Sequence, residues 1–288
     1  MRVLIFGGSG FLGRYLAEEG LSRGYDVRIF DKKEPLIDVT YIEGDILNEE
    51  QVDKSVEWAD IVFNLTAMSD IDECIENPKT AIEVNVLGNV NVMNSCVKHK
   101  VKRFVFASSA YAGGNHGGIY STTKKSNEML VRDYHKFYGL EYTVLRYGTL
   151  YGVGAPPTNS ICKYLTQAVK QGKIDYTGDG SEVREYIHVE DASKMSFDIL
   201  EDKKYLSTIV SLTGPNPTKT ADLFTMIKEI MNGEIDINFN KTLTKGRTAT
   251  HYRVSPYTYE RDKVYKMNLD VNRDLGDTLI EILHDLDD

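Results

Sequence analysis

Cysteine, positive charge and long apolar runs are all scarce in this chain. Three cysteines, Cys74, Cys96 and Cys162, are scattered through 288 residues. They offer neither a disulfide framework nor zinc-ligand spacing, and they fit a reducing cytoplasm. The six histidines form no HxxxH or similar pattern, so no metal is expected. Lys and Arg number 34 against 43 Asp and Glu, a formal net charge of −9. That balance argues against a polyanion-binding surface, and hence against nucleic acid as a partner, while leaving room for a local basic pocket. No apolar run is long enough to span a bilayer, and the short apolar N-terminal stretch, broken by glycine, reads as a strand rather than a signal peptide. Internal repeats and low-complexity linkers are missing too. What is left is an ordinary globular composition, 41% hydrophobic and 27% charged. It is enough for one large domain, or one with a smaller companion, around an ample core.

The stretch that organises the rest is Val3-Leu4-Ile5-Phe6-Gly7-Gly8-Ser9-Gly10-Phe11-Leu12-Gly13. An aliphatic run ends abruptly in glycines, and Phe11, Leu12, Tyr15 and Leu16 follow at helical spacing. This is a buried strand, a tight turn and a helix. Turn glycines let backbone N–H groups approach a pyrophosphate, and the helix N-terminus adds partial positive charge. Gly8, Gly10 and Gly13 satisfy GxGxxG, whereas Gly7, Gly10 and Gly13 satisfy GxxGxxG. A second strand, Asp26–Phe30, ends in Asp31 at the distance expected of a ribose-binding acid. Together these features predict a dinucleotide site.

The chain continues in the same rhythm. Strands are expected at 39–43, 60–65, 102–107 and 142–145, closing respectively in Gly44-Asp45-Ile46, Thr66-Ala67, Ser108-Ser109 and Arg146. Helices are expected from a cap at Asn48 through Trp58, from about Pro78 towards His99 with Ile82, Val86, Val90 and Met93 on one face, and from Tyr120 to Tyr138. Alternating buried strands and amphipathic helices imply a parallel, doubly wound α/β sheet with right-handed crossovers. Beyond Arg146 the rhythm changes. A glycine- and proline-containing loop, a helix near Ile161–Lys170, a turn at Gly178-Asp179-Gly180 and a strand at Ile209–Leu212 that could rejoin the sheet follow. Helices carrying Leu223, Phe224, Ile227 and Ile230, and then Leu279, Ile282 and Leu283, suggest a smaller mixed lobe. The expected division is a nucleotide-binding domain over 1–150, rejoined by about 186–213, and a substrate lobe from 151–185 and 214–288. Ligands of such sheets bind beyond the carboxyl ends of the strands, where Gly7–Gly13, Asp31, Asp45, Thr66, Ser109 and Arg146 all fall.

Tyr120-Ser121-Thr122-Thr123-Lys124 is the sharpest catalytic signal. Positions i and i+4 share a helical face, so the phenol and the ammonium can point into one site. A lysine ammonium and a cationic nicotinamide nearby would both favour phenolate, letting a tyrosine act as a base near neutrality. Tyr259-Glu260-Arg261-Asp262-Lys263 repeats the spacing but has no preceding strand ending in hydroxyls, so it reads as a surface helix pair. Tyr120 follows a strand whose terminal Ser108 and Ser109 could hydrogen-bond a substrate oxygen.

Gly7-x-x-Gly10-x-x-Gly13, Asp31, Gly44-Asp45-Ile46, Asn85-Val86-x-Gly88, Phe106-Ala107-Ser108-Ser109-Ala110 and Tyr120-x-x-x-Lys124 together resemble the extended short-chain dehydrogenase/reductase family. Leu145-Arg146-Tyr147, Tyr151-Gly152 and Gly178-Asp179-Gly180-x-x-x-Arg184-Glu185-Tyr186-Ile187-His188-Val189 narrow the resemblance to its nucleotide-sugar epimerase/dehydratase branch. The match runs to about Ala192 and is faint after Gly214. The resemblance implies a Rossmann sheet holding NAD. Gly7, Gly10, Phe11, Leu12 and Gly13 would lie at the pyrophosphate, and Asp31 at the adenine ribose, favouring NAD over NADP. Asp45 and Ile46 would flank the adenine, and Leu65, Thr66 and Ala67 would pass beside the ribose and pyrophosphate. Asn85, Ser108 and Tyr147 would support the cofactor. Tyr120 would be the acid/base, Lys124 would hold the nicotinamide ribose and lower the tyrosine pKa, and Ser109 would share the hydrogen bond to the reacting oxygen. Tyr111, Thr149 and Arg184 would meet the nucleotide-sugar, with Arg184 gripping its diphosphate. A salt bridge with Glu182 or Glu185 is the plainer account of Arg184.

Departures from the branch narrow the reaction. Dehydratases carry an Asp-Glu pair where this chain has Ala110-Tyr111, which removes the acid and base for eliminating water. The loop Gly113–Gly118 is short and glycine-rich, leaving the sugar pocket open or ordered only by substrate. Thr149 replaces the usual Asn, and the tail His251–Tyr257 departs from the common pattern. The expected activity is an NAD-dependent nucleotide-sugar epimerase acting at C4 through a transient keto-sugar. A keto-sugar reductase or dehydrogenase with the same residues is the alternative, and a non-catalytic dinucleotide-binding module is a third reading. The resemblance also implies a homodimer in which the helix after Pro78 and the Tyr120 helix pair with their copies, through Val90, Met93, Met129 and Leu130.

Overall fold

The computed structural model describes residues 1–240, 255 and 263–287. Strand β1 (Arg2–Phe6) runs through the glycine turn into helix α1 (Phe11–Ser22), followed by β2 (Asp26–Asp31) and β3 (Thr40–Glu43). Asn48 caps α2 (Glu49–Val56), its side chain accepting from the Gln51 N–H at 3.1 Å. That helix stops short of Trp58, whose ring instead takes the Arg28 guanidinium, 3.9 Å from its centroid. After β4 (Ile61–Asn64) comes α3 (Ile71–Glu76), capped by Asp70 and too short to leave a periodic signal in the sequence.

The segment after Pro78 is helical to Lys98 but not uniform. It consists of α4 (Pro78–Ile82), a π-turn over Glu83–Leu87 and α5 (Gly88–Lys98). The wider turn shifts the helical phase, so the face expected from 3.6-residue spacing is split. Ile82 is exposed and Met93 is fully buried, while Asn85, Asn89, Val92 and Cys96 join Met93 against the body of the protein. Strand β5 (Arg103–Ser109), a 3₁₀ turn at Ala110–Gly113, α6 (Gly118–Tyr138) and β6 (Tyr142–Tyr147) complete the first half.

The second half alternates between the main sheet and a smaller lobe. Its elements are β7 (Thr149–Tyr151), α7 (Ser160–Gln171), β8 (Lys173–Thr177), β9 (Val183–His188), α8 (Val189–Glu201), β10 (Thr208–Leu212), β11 (Pro217–Lys219), α9 (Thr220–Ile230), β12 (Asp236–Asn240), β13 (Val264–Lys266) and α10 (Leu275–Asp287). The main sheet has the order β13-β10-β6-β5-β4-β1-β2-β3, and every neighbouring pair in it is parallel. Parallel strands must be covered on both faces. Leu16, Ala17, Met195 and Phe197 of α1 and α8 pack on one face, and Val52, Val92, Met93 and Val131 of α2, α5 and α6 on the other. A separate core of Tyr151, Ile161, Leu165, Phe224 and Leu279 holds the smaller lobe, with the two-stranded β8–β12 ribbon and the three-stranded β11-β9-β7 sheet. Strand β10 pairs with β6 and so returns to the main sheet. Strand β13 was not anticipated. Three residues at an edge carry too little alternation to announce a strand. Among the described residues no helix is long and apolar enough to cross a membrane.

His188 sits where β9 turns into α8, 2% exposed, with Nδ1 accepting from the Glu190 N–H at 3.2 Å. Burial, aided by the nearby Arg273 guanidinium, brings its pKa down to about 4 from 6.5. The folded state therefore keeps the ring neutral where the unfolded chain binds a proton, and stability falls as pH drops from 6.5 towards 4. By pH 4.5 this residue should remove on the order of 2 kcal/mol. His188→Asn supplies a capping oxygen in place of Nδ1 and has no group that titrates in this range. Urea denaturation at pH 7 and pH 4.5 should show a smaller acid-induced loss in the variant than in the wild type.

Candidate active site

The glycine turn brings three chain segments into contact. Gly7 has φ of 74°, and a Cβ there would lie 2.9 Å from the Thr66 nitrogen, beyond the end of β4. A Cβ on Gly13 would collide with the Gly7 carbonyl, which already accepts from the Gly10 N–H at 3.2 Å. Gly7, Gly10 and Gly13 line the central cavity, whereas Gly8 lies against the Ile29 side chain. Of the two overlapping glycine patterns, GxxGxxG is the one that faces the site. Asp31 is docked on this turn, with Oδ2 accepting from the Ser9 N–H and Oδ1 from the Lys33 N–H, both at 3.1 Å.

The cavity, about 1430 Å³, runs from this turn past the carboxyl ends of β5 and β6 to the smaller lobe. Single-ligand clefts commonly occupy about 300–1,000 Å³, so it has room for two ligands side by side. Gly7, Gly10, Phe11, Leu12, Gly13, Asp31, Leu65, Thr66, Ala67, Ser108, Ser109, Tyr111, Tyr120, Lys124, Tyr147, Thr149 and Arg184 all line it. Asp45, Ile46 and Asn85, assigned to the cofactor in the sequence, do not, and neither does Arg146. Asp45 pairs at the surface with Lys32, 2.8 Å away. Ile46 is buried in the core, packed where a Cβ on Gly88 would meet it. Asn85 is buried behind the wall, its Oδ1 accepting from the Met68 N–H at 2.7 Å and its Nδ2 donating to Thr123 Oγ1 at 3.1 Å. Tyr147 offers its ring to the cavity while its hydroxyl shares a 2.8 Å hydrogen bond with Ser196 Oγ on α8.

At the centre, α6 carries Tyr120 and Lys124 one turn apart. Lys124 is 3% exposed and its Nζ donates to the Ala107 carbonyl at 2.7 Å. Burial pulls its pKa down to about 8, against an upward pull from Glu128. The Tyr120 phenol, hydrogen-bonded to the Ser109 side chain, is pushed up to about 12 by burial. The ammonium was expected to lower the phenol. In the free site burial is the largest influence on the phenol, and the Lys124 Nζ donates to the Ala107 carbonyl. Ser109 Oγ also accepts from the Tyr111 N–H at 3.3 Å.

The loop before α6 makes hydrogen bonds to its own chain. Lys125 Nζ donates to the Gly114 carbonyl and Ser121 Oγ to the Tyr111 carbonyl. Gly117, at φ of 92°, makes the entry into the helix, and a Cβ there would press on Ser121 and Tyr111. The decoy pair Tyr259 and Lys263 and most of the 251–257 segment lie outside the described residues or at their border.

Sequence reasoning passed over several residues. Glu128, one turn beyond Lys124, is clamped by Arg146 at 2.9 and 2.6 Å and by Ser108 Oγ at 2.5 Å. Its signal was the i, i+4, i+8 row Tyr120, Lys124, Glu128 on one helical face. Asn64, Asn89 and Asn127 form a buried side-chain relay behind the wall, with links of 2.7 and 3.0 Å. Lys163 and Tyr164 from α7 and Tyr176 from β8 line the far end of the cavity. Arg184 lies there too, its Nη1 donating to the Val183 carbonyl at 2.9 Å.

A dinucleotide turn, a Tyr-Lys helix and two strand-end serines share this cavity, and residues 3–210 match the NAD dependent epimerase/dehydratase family. The chain belongs to that family. Among its relatives, the UDP-glucuronate 4-epimerase of Thermodesulfobacterium geofontis is 27% identical over 277 residues, covering 84% of this chain and 85% of that protein. The dTDP-glucose 4,6-dehydratase of Streptomyces antibioticus is 29% identical over 222 residues, 66% of each chain. The solved UDP-glucose 4-epimerase of Thermotoga maritima, with UDP-glucose, is 25% identical with a TM-score of 0.79 over 90% of both chains. The family's cofactor fits what is here. The cradle that a Cβ on Gly13 would fill, at the N-terminus of α1, suits a pyrophosphate.

Asp31 is the residue expected to set cofactor choice. A 2′-phosphate would face its carboxylate, and Lys32, a candidate to offset that repulsion, is paired with Asp45. Titration calorimetry should find NAD(H) bound at least about tenfold more tightly than NADP(H), a difference of about 1.4 kcal/mol. Asp31→Ser should narrow the gap. Equal affinities in the wild type would remove Asp31 from this role.

Proposed function

We propose that this protein is an NAD-dependent nucleotide-sugar C4-epimerase. The observation that carries the reading is the meeting of Tyr120, Lys124 and Ser109 beside the glycine turn in a cavity that continues to Arg184. NAD, when bound, supplies the hydride acceptor and then donor that invert C4 through a keto-sugar. Tyr120 exchanges the proton of the C4 oxygen, Ser109 hydrogen-bonds the same oxygen, and Lys124 keeps positive charge beside them. Arg184 takes the diphosphate of the nucleotide-sugar. Gly7, Gly10, Phe11, Leu12 and Gly13 hold the pyrophosphate of the cofactor, and Leu65, Thr66, Ala67, Ser108 and Tyr147 the wall around it. Residues 1–150, rejoined by about 186–213, serve as the nucleotide domain, and 151–185 with 214–288 as the substrate side, except that β13 joins the main sheet. Ala110 and Tyr111 beside Ser109 favour epimerisation over dehydration, since neither can act as a carboxylic acid or base. Buried free thiols at Cys74, Cys96 and Cys162 agree with work in a reducing cytoplasm.

The test is a panel of UDP- and dTDP-hexoses, including UDP-glucose, UDP-glucuronate and their C4 epimers, read by separation of mass-matched products. One pair should interconvert without net NADH release. Tyr120→Phe should keep NAD affinity while turnover falls at least about 100-fold. Stoichiometric NADH release with an oxidised product would instead identify a dehydrogenase, and unchanged turnover in Tyr120→Phe would remove the mechanism.

We also infer a homodimer built on α6 and the helix after Pro78, in which Met129 is the one exposed side chain of the four expected from the sequence. Met93 is fully buried, and Val90 and Leu130 pack against the same core. The outward apolar residues are Ile82, Leu87, Met129 and Phe137, with Met129 68% exposed. Light scattering at micromolar concentration should report a dimer, and Leu87→Glu combined with Met129→Glu a folded monomer.

A further inference from the structure

Glu128 carries a negative charge in a place where burial makes charges costly. It is 5% exposed, on the α6 face that carries Tyr120 and Lys124, one turn beyond the lysine. Three donors fix its carboxylate. Arg146 Nε reaches Oε1 at 2.9 Å and Nη2 reaches Oε2 at 2.6 Å, and Ser108 Oγ donates to Oε1 at 2.5 Å. Both partners come from the sheet under the helix, where Ser108 on β5 and Arg146 on β6 stand opposite each other in register. The carboxylate is therefore held in place, and α6 is bolted to the carboxyl ends of β5 and β6.

We infer that Glu128 is a positioning residue for the reaction, holding the Lys124 ammonium charged and aimed at the Ala107 carbonyl beneath Tyr120. The groups that face Lys124 are few. The Ala107 carbonyl and the Phe106 ring face come from β5, and the Cys74 thiol from α3. Tyr120 and Glu128 come from its own helix, and Arg146 of β6 stands behind Glu128. Burial pushes the Cys74 thiol up to about 11 and so keeps it neutral at physiological pH. Among these groups only Glu128 offers a full negative charge near neutrality. Without it, the burial that already draws Lys124 down to about 8 loses its main ionic counterweight. The lysine would then lose its proton within the working range, and its hold on the phenolate with it.

The inference uses the proposed epimerase only to supply an assay, so its main readout does not require turnover. Lys124 is followed by NMR of the lysine side-chain carbons in selectively labelled full-length protein, its signal assigned by loss in Lys124→Met. Glu128→Gln together with Arg146→Met removes both charges and leaves no unpaired guanidinium, and Glu128→Asp keeps the carboxylate. The Lys124 midpoint should fall by about one pH unit in the double variant and stay near its wild-type value in Glu128→Asp. With substrate, the alkaline limb of kcat should move to lower pH by a similar amount in the double variant alone. A purely structural role predicts lower thermal stability in both variants, with the midpoint and the limb unmoved, and that result overturns the inference. A shifted midpoint in a protein inactive on every nucleotide-sugar would uphold it and refute the epimerase assignment instead. Should the double variant fail to fold, Ser108→Ala, which removes one donor and no charge, becomes the probe. It should raise the Lys124 midpoint slightly by freeing carboxylate density, and a fall or no change would count against the inference.

Discussion

The register of β5 against β6 is the constraint on which the site depends. Ser108 stands opposite Arg146, and Ser109 opposite Tyr147. Successive strand residues face opposite sides, so adjacent serines receive opposite tasks. Ser108 turns under α6 and donates to Glu128, while Ser109 meets the Tyr120 phenol. A slip of one residue would exchange them. It would aim Arg146 away from Glu128 and leave a buried carboxylate without its cation. Unpaired buried charges cost several kcal/mol, roughly 3–5 when one partner of a pair is lost. The pair thus penalises the wrong register more than it stabilises the right one. The large side chains of the same strands, Phe104 and Phe106 on one face and Leu145 on the other, set the same alternation by burial.

A second polar layer ties the cofactor side of the cavity to the catalytic helix. Asn64 at the end of β4 accepts from the Thr66 N–H and donates to Asn89, which donates to Asn127 on α6. Asn127 in turn donates to the Asn85 backbone carbonyl at 2.6 Å. That carbonyl lies within the π-turn, where the wider helical spacing leaves a carbonyl free to take an outside donor. The irregular turn and the asparagine chain are therefore one device. Thr66 lines the cavity beside the glycine turn and Asn127 sits three residues from Lys124, so the two are joined by fixed hydrogen bonds rather than by apolar contact alone. Each such link left unmade in this dry layer would cost about 1–3 kcal/mol, which gives the arrangement its rigidity.

Much of this was legible in the sequence, because the strong signals are local. The glycine turn, the strand-end acid and serines and the Tyr-Lys spacing each occupy fewer than a dozen contiguous residues, and a parallel sheet then fixes where strand ends must converge. The family match over residues 3–210 and the eight-stranded parallel sheet agree with that reading. What escaped was of two kinds. Elements whose identity is set by tertiary packing, such as α3, the π-turn and the edge strand β13, carry no period of their own. Residues whose role is set by a distant partner, such as Glu128 with Arg146 or Asn89 with Asn64 and Asn127, look in sequence like ordinary polar positions on amphipathic helices. Helical periodicity also put Met93 on one face with Ile82, because it assumed 3.6 residues per turn across a segment that widens at Glu83–Leu87.

The electrostatics of the site follow from its dryness. Burial drives the Tyr120 phenol up to about 12 and the Lys124 ammonium down to about 8, so it favours the neutral form of both. Moving a phenol from 12 to neutrality takes about five pKa units, roughly 7 kcal/mol of differential stabilisation. Ser109 supplies part of this through its hydrogen bond, and a cation must supply most of the rest. In water a charge a few ångströms away contributes about 1 kcal/mol, but in a low-dielectric cleft it contributes several times more. The desolvation that opposes ionisation is thus the same condition that gives a nearby positive charge its leverage. In the proposed mechanism a lysine kept charged by a carboxylate one turn behind it would resolve that opposition within a single helix. Tyr120, Lys124 and Glu128 would then serve along one face as proton carrier, cation and counter-charge.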